Sequence, residues 1–145
     1  MPPEPRPGQL IYAIDFGTSN SLLSAASPGE VFAPIPLDPD AHDATILRTI
    51  LYFPSMNEVH FGKRAIDEFT RRDMEGRLVR SIKKYLPMRS FVGTFIENRP
   101  LNLEDIIALF LAEMRRRANA HFKADVDQVV LGRPARFSPD DSDDA

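Results

Sequence analysis

Residues 11–24, IYAIDFGTSNSLLS, place two apolar runs on either side of a short polar turn. The first run, from Ile11 to Ile14, is β-prone and puts Asp15 at the end of a strand. The second run leads away from the turn, so the segment predicts a β-hairpin with a carboxylate at its open end.

The turn of this hairpin carries the groups that bind phosphate. Gly17 has no Cβ, so the backbone can come close to a ligand, and Thr18, Ser19 and Asn20 supply hydroxyl, amide and backbone N–H donors. Asp15 would repel phosphate unless a cation lay between them, which implies Mg²⁺ bound largely through water. The turn therefore predicts a Mg-nucleotide site with Asp15 as the metal ligand.

An ordinary hairpin turn is the alternative interpretation of the same six residues. Asp, Gly, Ser and Asn are also the residues that tight turns select. The chain has no G-x-x-x-x-G-K-[ST] sequence, so a P-loop is excluded and any phosphate site is of another type.

Composition favours one domain in a reducing compartment. The chain has 145 residues, 43% of them hydrophobic, a net charge of −3 and no cysteine. These values give no electrostatic reason to bind nucleic acid or a membrane surface, and we expect a cytoplasmic protein. The leader, residues 1–9, is rich in proline and predicts disorder, as do the acidic residues 140–145.

The middle of the chain reads as a mixed insert. Residues 30–37 contain two prolines and predict an edge strand, and residues 46–55 predict a further strand. Residues 63–85 show helical spacing around a break at Gly76, which favours two short helices. This stretch is also basic, and we interpret its charge as a solvated helix surface, with a polyanion site as the alternative.

The last third predicts a long helix followed by a strand. Residues 102–122 have a buried stripe at helical spacing, with Asn102 as N-cap candidate and acidic residues in the first turn. Residues 128–131 are typical of a buried strand. If that strand joins the first hairpin, the result is a strand, crossover helix and parallel strand in an α/β fold.

With these motifs placed, the chain resembles the N-terminal part of the nucleotide-binding domain of DnaK-like heat-shock chaperone ATPases. The YegD-like branch of the actin, sugar-kinase and heat-shock ATPase superfamily is the most similar. The matching motifs, in family order, are DFGTSN (15–20), ILRTILYFP (46–54), HFGKRAI (60–66), RSIKKYLP (80–87), LEDIIALFLAEMRRRA (103–118) and VVLGRPARF (129–137).

The resemblance implies a ribonuclease H-like, actin-like ATPase lobe with a mixed sheet. Residues 10–139 would form this lobe, with residues 10–40 and 102–137 as core sheet and helix and residues 41–101 as an inserted α+β subdomain. It also implies that Asp15 lies near Mg²⁺, that residues 17–19 surround the β- and γ-phosphates of ATP or ADP, and that Pro134 relays nucleotide state between domains. Ending a strand is the simpler role for Pro134.

The function implied is a molecular chaperone that binds Mg-ATP and couples its hydrolysis to protein folding. Its partners would be the remainder of the ATPase domain, a polypeptide-binding region beyond this chain and co-chaperones.

Three departures from the family bear on hydrolysis. The family's catalytic Lys aligns with Ile66, its relay Arg aligns near Ser142 while Arg136 replaces the usual Tyr, and the chain ends before the second phosphate loop and the adenosine pocket. We therefore assign no catalytic residue and expect weak nucleotide binding without turnover by the 145-residue chain alone. The alternatives are a degenerate nucleotide- or partner-binding module without hydrolysis, and a small-molecule kinase of the same superfamily.

Overall fold

The computed structural model describes residues 9–86, 88 and 93–132. Within them the chain forms a mixed α/β structure with two α-helices, one 3-10 helix and three β-sheets, so the α/β class is confirmed. Residues 1–8 of the leader, Pro134, Arg136, Ser142 and the acidic residues 140–145 lie outside the described residues.

The elements follow one another in this order: β1 (Ile11–Phe16), β2 (Asn20–Ser27), β3 (Glu30–Val31), β4 (Leu47–Arg48), β5 (Ile50–Ser55), β6 (Glu58–Phe61), α1 (Gly62–Arg71), β7 (Arg77–Arg80), a 3-10 helix (Ile82–Tyr85), β8 (Gly93–Ile96), β9 (Arg99–Asn102), α2 (Leu103–Phe122) and β10 (Val129–Leu131).

The largest sheet has the order β10-β1-β2-β3, with β4 also paired to β2. β1 and β2 form the predicted antiparallel hairpin, in which Phe16 lies opposite Ser21. β10 pairs with β1 in parallel, with Tyr12 opposite Val129. Because α2 lies between the two parallel partners in the chain, the predicted strand, crossover helix and parallel strand are present.

Alternation along β1 separates a core face from an open face. Tyr12, Ile14 and Phe16 are buried, and the rings of Phe16 and Phe110 of α2 lie 5.9 Å apart. The Tyr12 hydroxyl donates to Asn119 Oδ1 at 2.7 Å, which fixes the other end of the strand to the same helix. Since successive side chains point to opposite faces, Asp15 lies on the face away from α2, where it is exposed.

Both α-helices have an identifiable N-terminal hydrogen-bond partner. In α2 the Asn102 side chain accepts from the Asp105 N–H at 2.8 Å, so the predicted cap and helix span are confirmed. In α1 the N-cap residue Phe61 makes no side-chain bond, and Asp38 Oδ2 accepts from the Lys63 N–H at 2.9 Å instead. Asp38 is 1% exposed, so this bond ties α1 to the segment that precedes the insert.

The prediction of a second short α-helix in residues 63–85 is wrong. α1 ends at Arg71, and residues 77–80 form β7, which pairs with β5. Gly76 has φ +92°, and a Cβ there would lie 2.6 Å from the Phe53 carbonyl oxygen. The glycine lets the chain turn tightly against β5, and Val79 is then buried as a strand residue rather than a helical one.

Two strand predictions were also inaccurate. The Glu30–Leu37 segment is a strand only over residues 30–31, because Pro34 and Pro36 have no N–H to donate, although it does lie beside β2 at the sheet edge. The strand predicted as buried is exposed, at 61% for Val130. Within the described residues β10 lies at the sheet edge and pairs with β1 only. An apolar sequence does not distinguish an edge strand from a central one, so the sequence could not predict this exposure.

Candidate functional site

The five predicted phosphate-binding residues lie at one end of the β1–β2 hairpin. Asp15 is the penultimate residue of β1, residues 17–19 form the connecting loop, and Asn20 begins β2 with its side chain exposed. Thr18 is half-buried and Ser19 is exposed. We call residues 15–20 the hairpin loop.

Gly17 is required by the turn itself. A Cβ at this position would lie 2.1 Å from the Asn20 carbonyl oxygen, far inside contact distance. This close approach explains the glycine without a ligand, so it is consistent with both the phosphate site and the ordinary hairpin turn.

Thr49, which lies between β4 and β5, holds the hairpin loop from behind. Its hydroxyl donates to the Gly17 carbonyl oxygen at 2.9 Å, and its N–H donates to the Ser19 carbonyl oxygen at 3.0 Å. The Ser21 hydroxyl lies 2.8 Å from the Thr49 hydroxyl, and both residues are fully buried. Because the Thr49 proton is used for Gly17, Ser21 donates to Thr49.

Lys83 supplies a third restraint from the 3-10 helix. Its ammonium group donates to the Phe16 carbonyl oxygen at 2.7 Å. Thr49 therefore bonds the carbonyl groups of residues 17 and 19, and Lys83 bonds the carbonyl group of residue 16. Analysis of the sequence missed both residues: Thr49 was marked only by being polar within an apolar run, and Lys83 was one of many basic residues.

These restraints orient the N–H groups of the loop. The described peptide bonds are all trans, so C=O and N–H point in opposite directions within each peptide unit. The N–H of Gly17 therefore points away from Lys83, and the N–H of Thr18 points away from Thr49. Among the described residues none is hydrogen bonded to Thr18, through either its backbone or its side chain.

Asp15 offers an unpaired carboxylate beside these donors. Within the described part of the chain it has no hydrogen-bond or ion-pair partner. No group of three or more His, Asp or Glu side chains in that part comes close enough to hold a metal ion directly. A single carboxylate fits a Mg²⁺ ion that would keep most of its water, rather than a metal held by protein ligands alone.

The basic residues after Gly62 do not form one continuous helix surface. Lys63 pairs with Asp67 within α1, and Arg72 bonds Glu58 at 2.6 Å and Glu68 at 3.2 Å. Hydrogen bonding by Arg71 lowers the pKa of Glu68 to about 2. The interpretation as a solvated helix surface therefore agrees with α1. It does not agree with Lys83, which bonds the hairpin loop.

A polar cavity of about 380 Å³ opens beside the loop. Thr18 and Ser19 form one side, and the other sides come from β4, β7 and the start of the 3-10 helix. Of the described side chains that line it, three are cationic and none is acidic.

Comparison with known proteins gives one consistent set of relatives. The chain is 24% identical over 133 residues to the chaperone protein DnaK of Thermotoga neapolitana, 24% over 130 residues to DnaK of Thermosipho africanus, and 23% over 133 residues to DnaK of Thermotoga maritima. Each match covers 90% of this chain and 21% of the relative. No family model matches the chain.

These similarities support a distant relationship to DnaK chaperones, and the resemblance is confirmed at that level. The chain spans about a fifth of the length of the curated relatives it matches. In the described residues, neither α-helix has both the length and the apolar composition needed to cross a membrane.

Proposed function

We propose that this chain is the nucleotide-binding lobe of a DnaK-like chaperone and that its hairpin loop holds the β- and γ-phosphates of Mg-ATP. In the complete chaperone, hydrolysis of the bound ATP would be coupled to protein folding. One observation carries the proposal: the loop carbonyls at residues 16, 17 and 19 are bonded to Lys83 and Thr49, while Thr18 and Asp15 keep free donors and a free carboxylate.

This arrangement suits an anionic ligand that carries a divalent cation. The N–H groups of residues 17 and 18 point away from the residues that hold the loop, where phosphate oxygens can accept from them. The Thr18 and Ser19 hydroxyls add further donors. Mg²⁺ would neutralise phosphate charge next to Asp15, and Asp15 would orient its bound water.

The remaining features follow the same proposal. Residues 10–40 and 102–137 form the core of the lobe, and residues 41–101 form an inserted subdomain. Pro134 relays nucleotide state to the polypeptide-binding region, which lies in the part of the relatives that this chain does not cover. We further propose, from the motifs quoted above, that the chain belongs to the YegD-like branch of the actin, sugar-kinase and heat-shock ATPase superfamily.

Titration of Mg-ADP into the 145-residue chain tests the site. Asp15→Asn should weaken binding by roughly fivefold or more and remove its dependence on Mg²⁺, because the metal contact is lost. The matched control is Asp127→Asn, which makes the same carboxylate-to-carboxamide change at an exposed residue. Asp127 lies roughly 15 Å from Asp15 along the direction of β1. Equal affinity of wild type and Asp15→Asn, with and without Mg²⁺, would support the ordinary hairpin turn instead.

Nucleotide binding without hydrolysis is the second candidate function. It is favoured by the bond from Lys83 to the Phe16 carbonyl, which commits the ammonium group beside the loop to the chain itself. Because no turnover is expected of the 145-residue chain alone, single-turnover measurement with radiolabelled ATP on an excess of a protein that joins this lobe to the remainder of the ATPase domain separates the candidates. ADP formation that Asp15→Asn abolishes would reject the second one.

A further inference from the structure

The cavity beside the hairpin loop brings together three cations from separate parts of the sequence. Arg48 lies in β4, Arg80 ends β7, and Lys84 lies in the 3-10 helix. All three are exposed at the cavity of about 380 Å³, together with Thr18 and Ser19. Among the described residues no acidic side chain lines it, so like charges meet here without a described counter-charge.

Five other arginines of the described chain have carboxylate partners, whereas Arg64, Arg77 and Arg99 have none among the described residues. Arg71 and Arg72 bond Glu68, and Arg116 and Arg117 bond Glu113 at 2.6 and 2.9 Å. By contrast, no hydrogen bond or ion pair joins Arg48, Arg80 or Lys84 to another described side chain. Mutual repulsion of the three cations favours an anion in the cavity, because an anion lowers the energy of all three at once.

We propose that this cavity is a polyphosphate-binding site in which Arg48, Arg80 and Lys84 contact the end of a phosphate chain. The inference deepens the proposed function and rests on it in one respect: Thr18 and Ser19 belong to both sites. A nucleotide held by the hairpin loop would place excess phosphate charge beside these cations. Free oligophosphate has the same chemistry and is the other source of the ligand.

Size and donor type favour a phosphate chain over a larger partner. A volume of about 380 Å³ is at the small end of ligand pockets and suits a compact anion. Guanidinium groups match the geometry of phosphate oxygens with paired N–H donors, and hydroxyl groups of the loop complete the donor set. Carboxylates of an acidic peptide would use the same cations but would need a longer surface.

Calorimetric titration of the 145-residue chain with sodium tripolyphosphate in EDTA tests the cavity without a metal or a nucleoside. Arg48→Gln, Arg80→Gln and Lys84→Gln should each weaken binding by roughly three- to fivefold, since each removes one partly exposed charge contact. Arg48→Lys keeps the charge but not the paired donors, so its affinity should lie between those of wild type and Arg48→Gln. Arg77→Gln is the matched control, because Arg77 lies in the same strand as Arg80 but does not line the cavity.

The outcomes separate this inference from the proposed function. Tripolyphosphate binding that falls in the three Gln variants but not in Asp15→Asn supports the cavity even if Mg-ADP fails to bind the loop. Displacement of tripolyphosphate by ATP, and not by adenosine, identifies the nucleotide as the source; failure of ATP to displace it identifies free oligophosphate. Absence of tripolyphosphate binding, or equal binding by wild type and the triple Gln variant with unchanged urea midpoints, would overturn the inference.

Discussion

Replacing Thr49 with valine keeps the shape of the side chain and removes the hydroxyl that supports the hairpin loop. Two hydrogen bonds are lost, the bond to the Gly17 carbonyl oxygen at 2.9 Å and the bond from the Ser21 hydroxyl at 2.8 Å. Ser21 is fully buried, so its hydroxyl is left without an acceptor. Each loss costs about 1 kcal/mol or more, and we expect Thr49→Val to lower the free energy of unfolding by about 2 kcal/mol.

The direction of the hydrogen bonds makes the two partners unequal. Ser21→Ala removes a donor but leaves the Thr49 proton on Gly17, so it should cost about 1 kcal/mol or less. The double variant should be no less stable than Thr49→Val, because no buried Ser21 hydroxyl is then left unpaired. A double-mutant cycle should therefore give a coupling of about 1 kcal/mol.

Urea unfolding followed by circular dichroism measures these differences. With a slope near 2 kcal/mol per molar urea, Thr49→Val should move the midpoint down by about 1 M. Thr49→Ser keeps the hydroxyl and should retain Mg-ADP affinity, whereas Thr49→Val should weaken it because the Gly17 carbonyl loses its hydrogen-bond donor. Equal midpoints for Thr49→Val and Ser21→Ala, or a shift of Thr49→Val below about 0.5 kcal/mol, would refute the assigned direction of the bonds.

Three further predictions concern the fold. Gly76→Ala should lower the free energy of unfolding in urea by more than about 1 kcal/mol, because φ is +92° and the added Cβ would lie 2.6 Å from the Phe53 carbonyl oxygen. Gly29→Ala is the control and should cost less, because φ is +82° but no atom lies within 4 Å of the added Cβ. Equal losses in the two variants would contradict the steric argument. Asn102→Ala should lower the free energy of unfolding by about 1 kcal/mol through loss of the α2 cap, while Asn102→Asp should not, and thermal unfolding of both checks this. Hydrogen bonding from Arg71 lowers the pKa of Glu68 from 4.5 to about 2, so ionised Glu68 stabilises the folded chain fully above about pH 4.5 and less as the pH falls toward 2. The urea midpoint of Glu68→Gln should therefore fall less than that of wild type over this pH range. Parallel falls would reject the assignment.

Local sequence patterns predicted the parts of the fold that depend on neighbouring residues. The first hairpin, the cap at Asn102 and the span of α2 follow from alternation, capping chemistry and helical spacing. Residues 77–80 were assigned to a helix because Leu78 and Ile82 kept helical spacing, yet pairing with β5 decides their structure. The β8–β9 hairpin was not predicted, since its turn at Glu97 and Asn98 requires positive φ at two residues other than glycine.

The candidate site divides in the same way. The five predicted phosphate-binding residues could be named from the sequence because their donor groups and the carboxylate lie together in it. Thr49 and Lys83 are 32 and 67 residues from the carbonyl groups they contact, and only the fold brings them there. The cavity cations are likewise spread over β4, β7 and the 3-10 helix, so charge counting along the sequence described Arg80 and Lys84 as surface residues and did not single out Arg48.

The conformation of the hairpin loop depends on residues 41–101 more than on its own sequence. Thr49 and Lys83 hold three of the loop carbonyls, and the cavity beside the loop takes Arg48, Arg80 and Lys84 from the same segment. Asp38 adds a bond to the start of α1, which joins this segment to the irregular chain that follows β3. A shift of residues 41–101 relative to β1 would therefore change both the direction of the loop N–H groups and the position of the cations. If phosphate binds at these two places together, its affinity reports how this segment is placed against the hairpin, and ligand binding in turn stabilises that placement by the same free energy.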